Sequence, residues 1–168
     1  DIKGHKNIIA NPNCTTAILV VALEPLRKAF GLKRVIVSTY QAASGAGAEG
    51  MAELERETRR VLVEGLKPEA EVFRWPLAFN VIPQVDDVMD DGYTEEEWRI
   101  AAETRKIIDN DIQVVATCVR VPTFVSVGEA VHVELAEPLP ASEARAVLRE
   151  SPGIVLLDRR EEEDGYET

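Results

Sequence analysis

The sequence has 168 residues, 45% of them hydrophobic and 29% charged, the composition of one globular domain. Such a chain can bury about 70% of its unfolded surface and is too short for two full domains. A formal net charge of -11 with no basic patch argues against a nucleic-acid or anionic-membrane partner, and Cys14 and Cys118 form neither a CxxC pair nor a Cys/His cluster, so no metal site is expected.

In chain order, Ile8-Ile9-Ala10 is a short apolar run stopped by Asn11-Pro12-Asn13. It predicts a strand and a tight turn ahead of a helix from about Thr15 to Phe30. In that helix Ile18, Leu19, Ala22, Leu23, Leu26 and Phe30 recur at helical spacing, and Gly31 supplies the stop. Arg34 to Tyr40 reads as a β-branched strand. The small-residue stretch from Ala42 to Gly47 leads into a second helix with Met51, Leu54, Thr58, Val61 and Leu62 on one face and a solvated Glu/Arg-rich face opposite. Pro68, Pro76 and Pro83 predict irregular chain over 65–89, with an extended piece near Phe79 to Ile82.

Thr94 and Glu97 form a capping box that opens a helix with Trp98, Ala101, Ala102, Arg105 and Ile108 as its stripe. The strand expected over Ile112 to Val121 has apolar residues of both parities, which predicts cover on both faces, and Pro122 ends it. Val131, Val133 and Leu135 give the next strand one dry face. A helix started by Ser142, then Gly153 and the run Ile154 to Leu157, completes the fold, and Glu161-Glu162-Glu163-Asp164 reads as a solvated tail. The expected architecture is one α+β domain over 1–168: a mixed, largely antiparallel sheet, helices packed on one face, the other face available to a partner subunit.

Chemistry concentrates at Cys14. A thiol in the first turn of a helix faces unpaired backbone N–H groups and the positive end of the dipole, a setting that promotes nucleophilic attack and could hold an oxyanion. On spacing alone, a buried structural cysteine is the favoured reading.

Asn11-Pro12-Asn13-Cys14-Thr15-Thr16 resembles the active-site signature of the aspartate-semialdehyde dehydrogenase family, as does the segment from Ser38 to Gly47. Phe79 to Gln84, Gly92 to Glu96 and Ala116 to Pro122 extend the likeness along nearly the whole chain. The resemblance implies the catalytic and dimerisation domain, a glyceraldehyde-3-phosphate-dehydrogenase-like C-terminal domain. It also implies the NADP-dependent reductive dephosphorylation of aspartyl phosphate to aspartate semialdehyde through a Cys14 thioacyl intermediate, in the lysine, threonine and methionine pathway. Gln41 then stands near the reacting carbonyl. Asn13, Glu96, Arg99 and Arg120 are implied at the substrate, with Arg120 on its α-carboxylate, Glu96 on its ammonium and Arg99 in the phosphate-binding lysine position. Ser44 and Gly45 are implied near the cofactor. From the residues alone, Arg120 has the alternative reading of a strand-end salt-bridge residue, and Glu96 and Arg99 read first as ordinary exposed helix charges.

Two departures stand out. The family's acid/base histidine position is Val127, and a side chain that carries no proton forfeits the roughly 10²–10⁴-fold such a group supplies. Neither His5, in a linker, nor His132, on a polar strand face, substitutes; His132 reads as a surface or interface residue. No glycine-rich dinucleotide turn is found, so the N-terminal cofactor domain is expected to be absent, NADP is not expected to bind tightly, and the isolated chain is expected to be inactive. A non-catalytic dimerising scaffold, or an engineered interaction domain on the same fold, is the alternative. A homodimer in the cytoplasm, with a small-molecule substrate in the family and no nucleic acid or membrane, is expected either way.

Overall fold

Asn13 starts the first helix, α1 (Cys14–Phe30), by accepting the amides of Thr15 and Thr16 on its side chain. Gly31, at φ 66°, ends it; a Cβ there would stand 2.8 Å from that of Ala136, so glycine meets both the left-handed turn and the close approach. The structure, a computed structural model, describes residues 2–158, and the acidic run 161–164 lies outside them.

Strand β1 (Leu32–Gln41) is the centre of a three-stranded sheet of order β2-β1-β3. It pairs in parallel with β2 (Gln113–Arg120) and antiparallel with β3 (Val127–Leu135), so the sheet is mixed, with one pairing of each kind. The parallel pairing requires a long crossover, which holds α2 (Gly47–Leu62), irregular chain rich in proline, and α3 (Glu95–Ile107). A final helix, α4 (Ala141–Arg149), follows β3.

Leu19 and Leu23 of α1 and Ile100 of α3 pack with Val35 and Val37 of β1 and Ala116 and Cys118 of β2, so the helices cover one face of the sheet. The opposite face carries Ile36, Tyr40 and Val115, which are 43%, 46% and 42% exposed. His132 shares it, opposite Ile36 and exposed, where the sequence placed it. Cover on both faces of β2 is therefore not provided by the described residues of this chain.

Several expectations need correction. Residues 8–10 form no strand: they pair with none of the three strands of the sheet, and Ile8 is 86% exposed. The run 154–157 is likewise irregular, with Val155 exposed. Helix α4 begins at Ala141 with Pro140 at its N-cap, not at Ser142. In α1 the buried face is Thr15, Thr16, Leu19 and Leu23, while Ile18 and Ala22 turn outward. In α3 it is Glu96, Ile100 and Thr104, and Trp98 is exposed.

The largest correction is on α2. Glu53 and Glu57, expected in solvent, are fully buried, whereas Leu62 is exposed. Glu53 accepts the backbone N–H groups of Glu71, Val72 and Phe73, and Glu57 accepts those of Leu77 and Ala78. Irregular chain lacks a ladder for its amides, so the two carboxylates supply acceptors that a sheet would otherwise give. The capping box on α3 forms as expected, and Glu97 does a second task by accepting the N–H of Cys118 on β2 at 2.9 Å.

Candidate active site

Cys14 is the first residue of α1, exposed, at the mouth of a cavity of about 360 Å³. The cavity is also lined by Ile18, Gln41, Ala42, Ser44, Gly45, Arg120, Ser126 and Val127. Sequence distant by more than a hundred residues is brought together because β1 and β2 end side by side, with Gln41 paired to Arg120, while β3 begins opposite Gln41 at Val127. The loop before β3 is pinned to the end of β1: Ala42, Ala43 and Ser44 donate their amides to the carbonyls of Ser126, Thr123 and Phe124. Ser126 adopts φ 90°, a strained left-handed conformation for a residue with a Cβ, immediately before Val127.

Glu96 is not among the residues lining the cavity but is the hub of the polar network behind Gln41. It is buried and accepts from Gln41 Nε2 at 3.1 Å, from Asn13 Nδ2 at 2.9 and 3.1 Å, and from Arg99 at 3.1 Å. Gln41 also donates to Thr39 Oγ1 at 3.2 Å, which fixes its amide beside Cys14's cavity. Arg99 is half-exposed and bridges Glu96 to Asp86, so it stands at the rim and is not among the residues lining the cavity.

Arg120 is 8% exposed, and among the described residues no carboxylate lies within ion-pair distance of it. Its salt-bridge reading therefore fails. The guanidinium donates to Ala42 O at 2.8 Å and lies over the ring of Phe73, 5.7 Å from the centroid. Burial draws its pKa below the ordinary arginine value against the pull of Glu96 and Asp86, and a cation so placed favours an anionic ligand. Gly45 makes room for it: a Cβ at that position would stand 2.5 Å from the guanidinium nitrogen. Ser44 and Gly45 thus border the cavity, and the space beside Gly45 is taken by the Arg120 guanidinium.

The two thiols differ sharply. Cys118 is fully buried beside Thr39, and burial pushes its thiol up to about 12, whereas Cys14 is exposed. Iodoacetamide at pH 8 is expected to label Cys14 completely before Cys118 reacts, as read by peptide mass spectrometry; comparable rates would contradict this site geometry. Asp86, Phe73 and Glu103 are site neighbours that the sequence reading missed. For Glu103 a signal existed: it stands seven residues after Glu96, two turns along one helix face. No group of His, Cys, Asp and Glu suited to a metal occurs among the described residues.

The sequence profile of the family described as "Semialdehyde dehydrogenase, dimerisation domain" matches residues 23–165. The chain belongs to this family. Curated relatives named aspartate-semialdehyde dehydrogenase include that of Shewanella violacea, 47% identical over 159 residues, covering 94% of this chain and 47% of the relative. That of Bacillus subtilis is 45% identical over 166 residues, 94% of this chain and 48% of the relative. The chain spans about half the length of the curated relatives it matches. Among solved structures, aspartate semialdehyde dehydrogenase II of Vibrio cholerae, complexed with ASA, superposes with a TM-score of 0.86 at 47% identity, over 90% of this chain and 45% of that one. The Candida albicans enzyme, crystallised with NADP, gives a TM-score of 0.60 at 26% identity, over 85% of this chain and 35% of that one. The fold is the glyceraldehyde-3-phosphate-dehydrogenase-like C-terminal domain, as the sequence reading expected.

Proposed function

We propose that this chain is the substrate-binding and thioacyl-forming half of an NADP-dependent aspartate-semialdehyde dehydrogenase of amino-acid biosynthesis, acting in the cytoplasm as a homodimer. The observation that carries the proposal is the convergence of Cys14, Gln41 and unpaired, buried Arg120 on one cavity. Arg120 grips the substrate α-carboxylate with its planar fork, and Glu96 takes the ammonium. Cys14 Sγ attacks the acyl carbon of aspartyl phosphate, forming the C–S bond. Phosphate then leaves with the electrons of the broken C–O bond. The Thr15 and Thr16 amides are held by Asn13 and the Gln41 amide by Thr39 and Glu96, so the backbone amide of Cys14 is the donor left at the start of α1 for the developing oxyanion. NADP, when bound to the whole enzyme, supplies hydride chemistry. Val127 leaves the thiol proton without a partner side chain at that position, so the isolated chain is expected to show no steady NADPH production from aspartate semialdehyde and phosphate.

The thioacyl half-reaction can be tested without cofactor. Incubation with aspartyl phosphate should add an aspartyl group to Cys14, seen by mass spectrometry, and release one equivalent of phosphate. An unmodified Cys14 after prolonged incubation would favour a non-catalytic dimerising scaffold, for which Val127 is the motivating observation. Gly45→Ala, which drives a Cβ into the Arg120 guanidinium, is expected to weaken binding of an aspartate semialdehyde analogue by about tenfold or more in calorimetry, because the charge-assisted clamp is misplaced.

For the partner, the open sheet face bearing Ile36, Tyr40 and Val115 is the surface a second copy would cover. Sedimentation at micromolar concentration should give a dimer, and Ile36→Glu should shift it to monomer. A wild-type monomer under those conditions would contradict this pairing.

A further inference from the structure

The residue before Cys14 is held from two sides. Asn13 commits its side-chain oxygen to the amides of Thr15 and Thr16 at 2.8 and 3.3 Å, and its side-chain nitrogen to Glu96. Its backbone carbonyl accepts from Ala17 N at 2.8 Å, and its backbone N–H donates to Glu103 Oε2 at 2.7 Å. In a capping box the N-cap amide is satisfied by an acidic side chain three residues into the same helix, as Glu97 does for Thr94. In α1 that position is Thr16, whose hydroxyl is buried without a partner and does not reach back. Glu103 of α3 supplies the missing acceptor from outside. The chain ahead of Asn13 gives no alternative anchor, since residues 5–11 form no helix or strand and are exposed.

We infer that Glu103 is a positioning residue that completes the cap of α1 from a neighbouring helix and so fixes the first turn, and Cys14 with it, against the cavity. This rests on Cys14 being the nucleophile. Glu96 shares its carboxylate among Asn13, Gln41 and Arg99, whereas Glu103 accepts the Asn13 amide. The two acidic residues stand two turns apart on α3, so that helix presents a paired clamp to the turn bearing the thiol.

The test compares Glu103→Ala and Glu103→Gln with the unaltered chain. It reads the second-order rate of Cys14 with iodoacetamide and the hydrogen exchange of the Thr15 and Thr16 amides. Glu103→Ala is expected to slow Cys14 by about tenfold and to expose both amides, because the half-buried Asn13 amide loses its acceptor and the cap loosens. Glu103→Gln keeps an acceptor oxygen and should restore most of the rate and protection. Exchange over β1 and β2 and an unreactive Cys118 should stay unchanged in both variants. An unaltered Cys14 rate and unaltered first-turn exchange in Glu103→Ala overturn the inference. So does a loss of protection spread over the whole sheet, which marks a general structural role. A Cys14 no faster than a free thiol in the unaltered chain instead removes the nucleophile reading on which this rests.

Discussion

Val127→His should accelerate the acylation of Cys14 by aspartyl phosphate by about 10²–10⁴-fold, the contribution of a positioned acid–base group. Position 127 begins β3 opposite Gln41 and lines the cavity that Cys14 opens into. The strained Ser126 and three main-chain hydrogen bonds from residues 42–44 hold that side chain there, so the substitution places an imidazole on an existing, rigid wall. A free imidazole titrates near pH 6.5, so the gain should be largest above that pH, where the ring is neutral and can take the thiol proton. Stopped-flow measurement of phosphate release against pH reads both features. A rate that remains at the wild-type value across the range would show that residue 127 does not face the reacting thiol, and the proposed geometry would fail with it.

Much of this site was legible in the sequence because it lies in short contiguous motifs. The bonds from the Thr15 and Thr16 amides to the Asn13 side chain are local chemistry, as is the Thr94 and Glu97 box, whereas the hold of Glu96 and Glu103 on Asn13 is tertiary. The central strand followed from the β-branched run Val35, Ile36 and Val37, but which of its faces the helices cover did not, because the run is apolar on both. What failed was hydrophobic periodicity on helices whose buried face is partly polar. On α3 Glu96 and Thr104 point inward beside Ile100, and on α2 Glu53 and Glu57 do so beside Leu54, so a search for apolar stripes found Leu54 but added the exposed Trp98 and Leu62. Acidic residues are placed in solvent by default because burial is costly, and the default breaks where irregular chain needs acceptors. The strand expected at residues 8–10 failed for a different reason: an apolar run becomes a strand only where it is brought against a partner strand, and residues 8–10 pair with none of β1, β2 and β3, which is tertiary information.

Glu53→Ala should destabilise the fold by about 3–5 kcal/mol, among the larger effects a single substitution produces. The side chain is completely buried and is the acceptor for three consecutive amides, those of Glu71, Val72 and Phe73. Its removal leaves these donors without a partner in a stretch that has no ladder to fall back on. Glu53→Gln retains one acceptor oxygen but turns an amino group toward N–H donors, so its loss should lie between wild type and Glu53→Ala in urea unfolding. An unfolding free energy for Glu53→Ala within about 0.5 kcal/mol of wild type would contradict this account, since that range is typical of uninvolved surface positions. The consequence reaches the active site through Phe73. That residue is held in place by Glu53 and lies beneath the Arg120 guanidinium, while Gly45 admits the guanidinium from the other side. Limited proteolysis of Glu53→Ala should therefore cut first within 67–80, and binding of the substrate analogue should weaken before the sheet melts. The carboxylate on α2 connects the stability of an irregular loop to the placement of the substrate clamp.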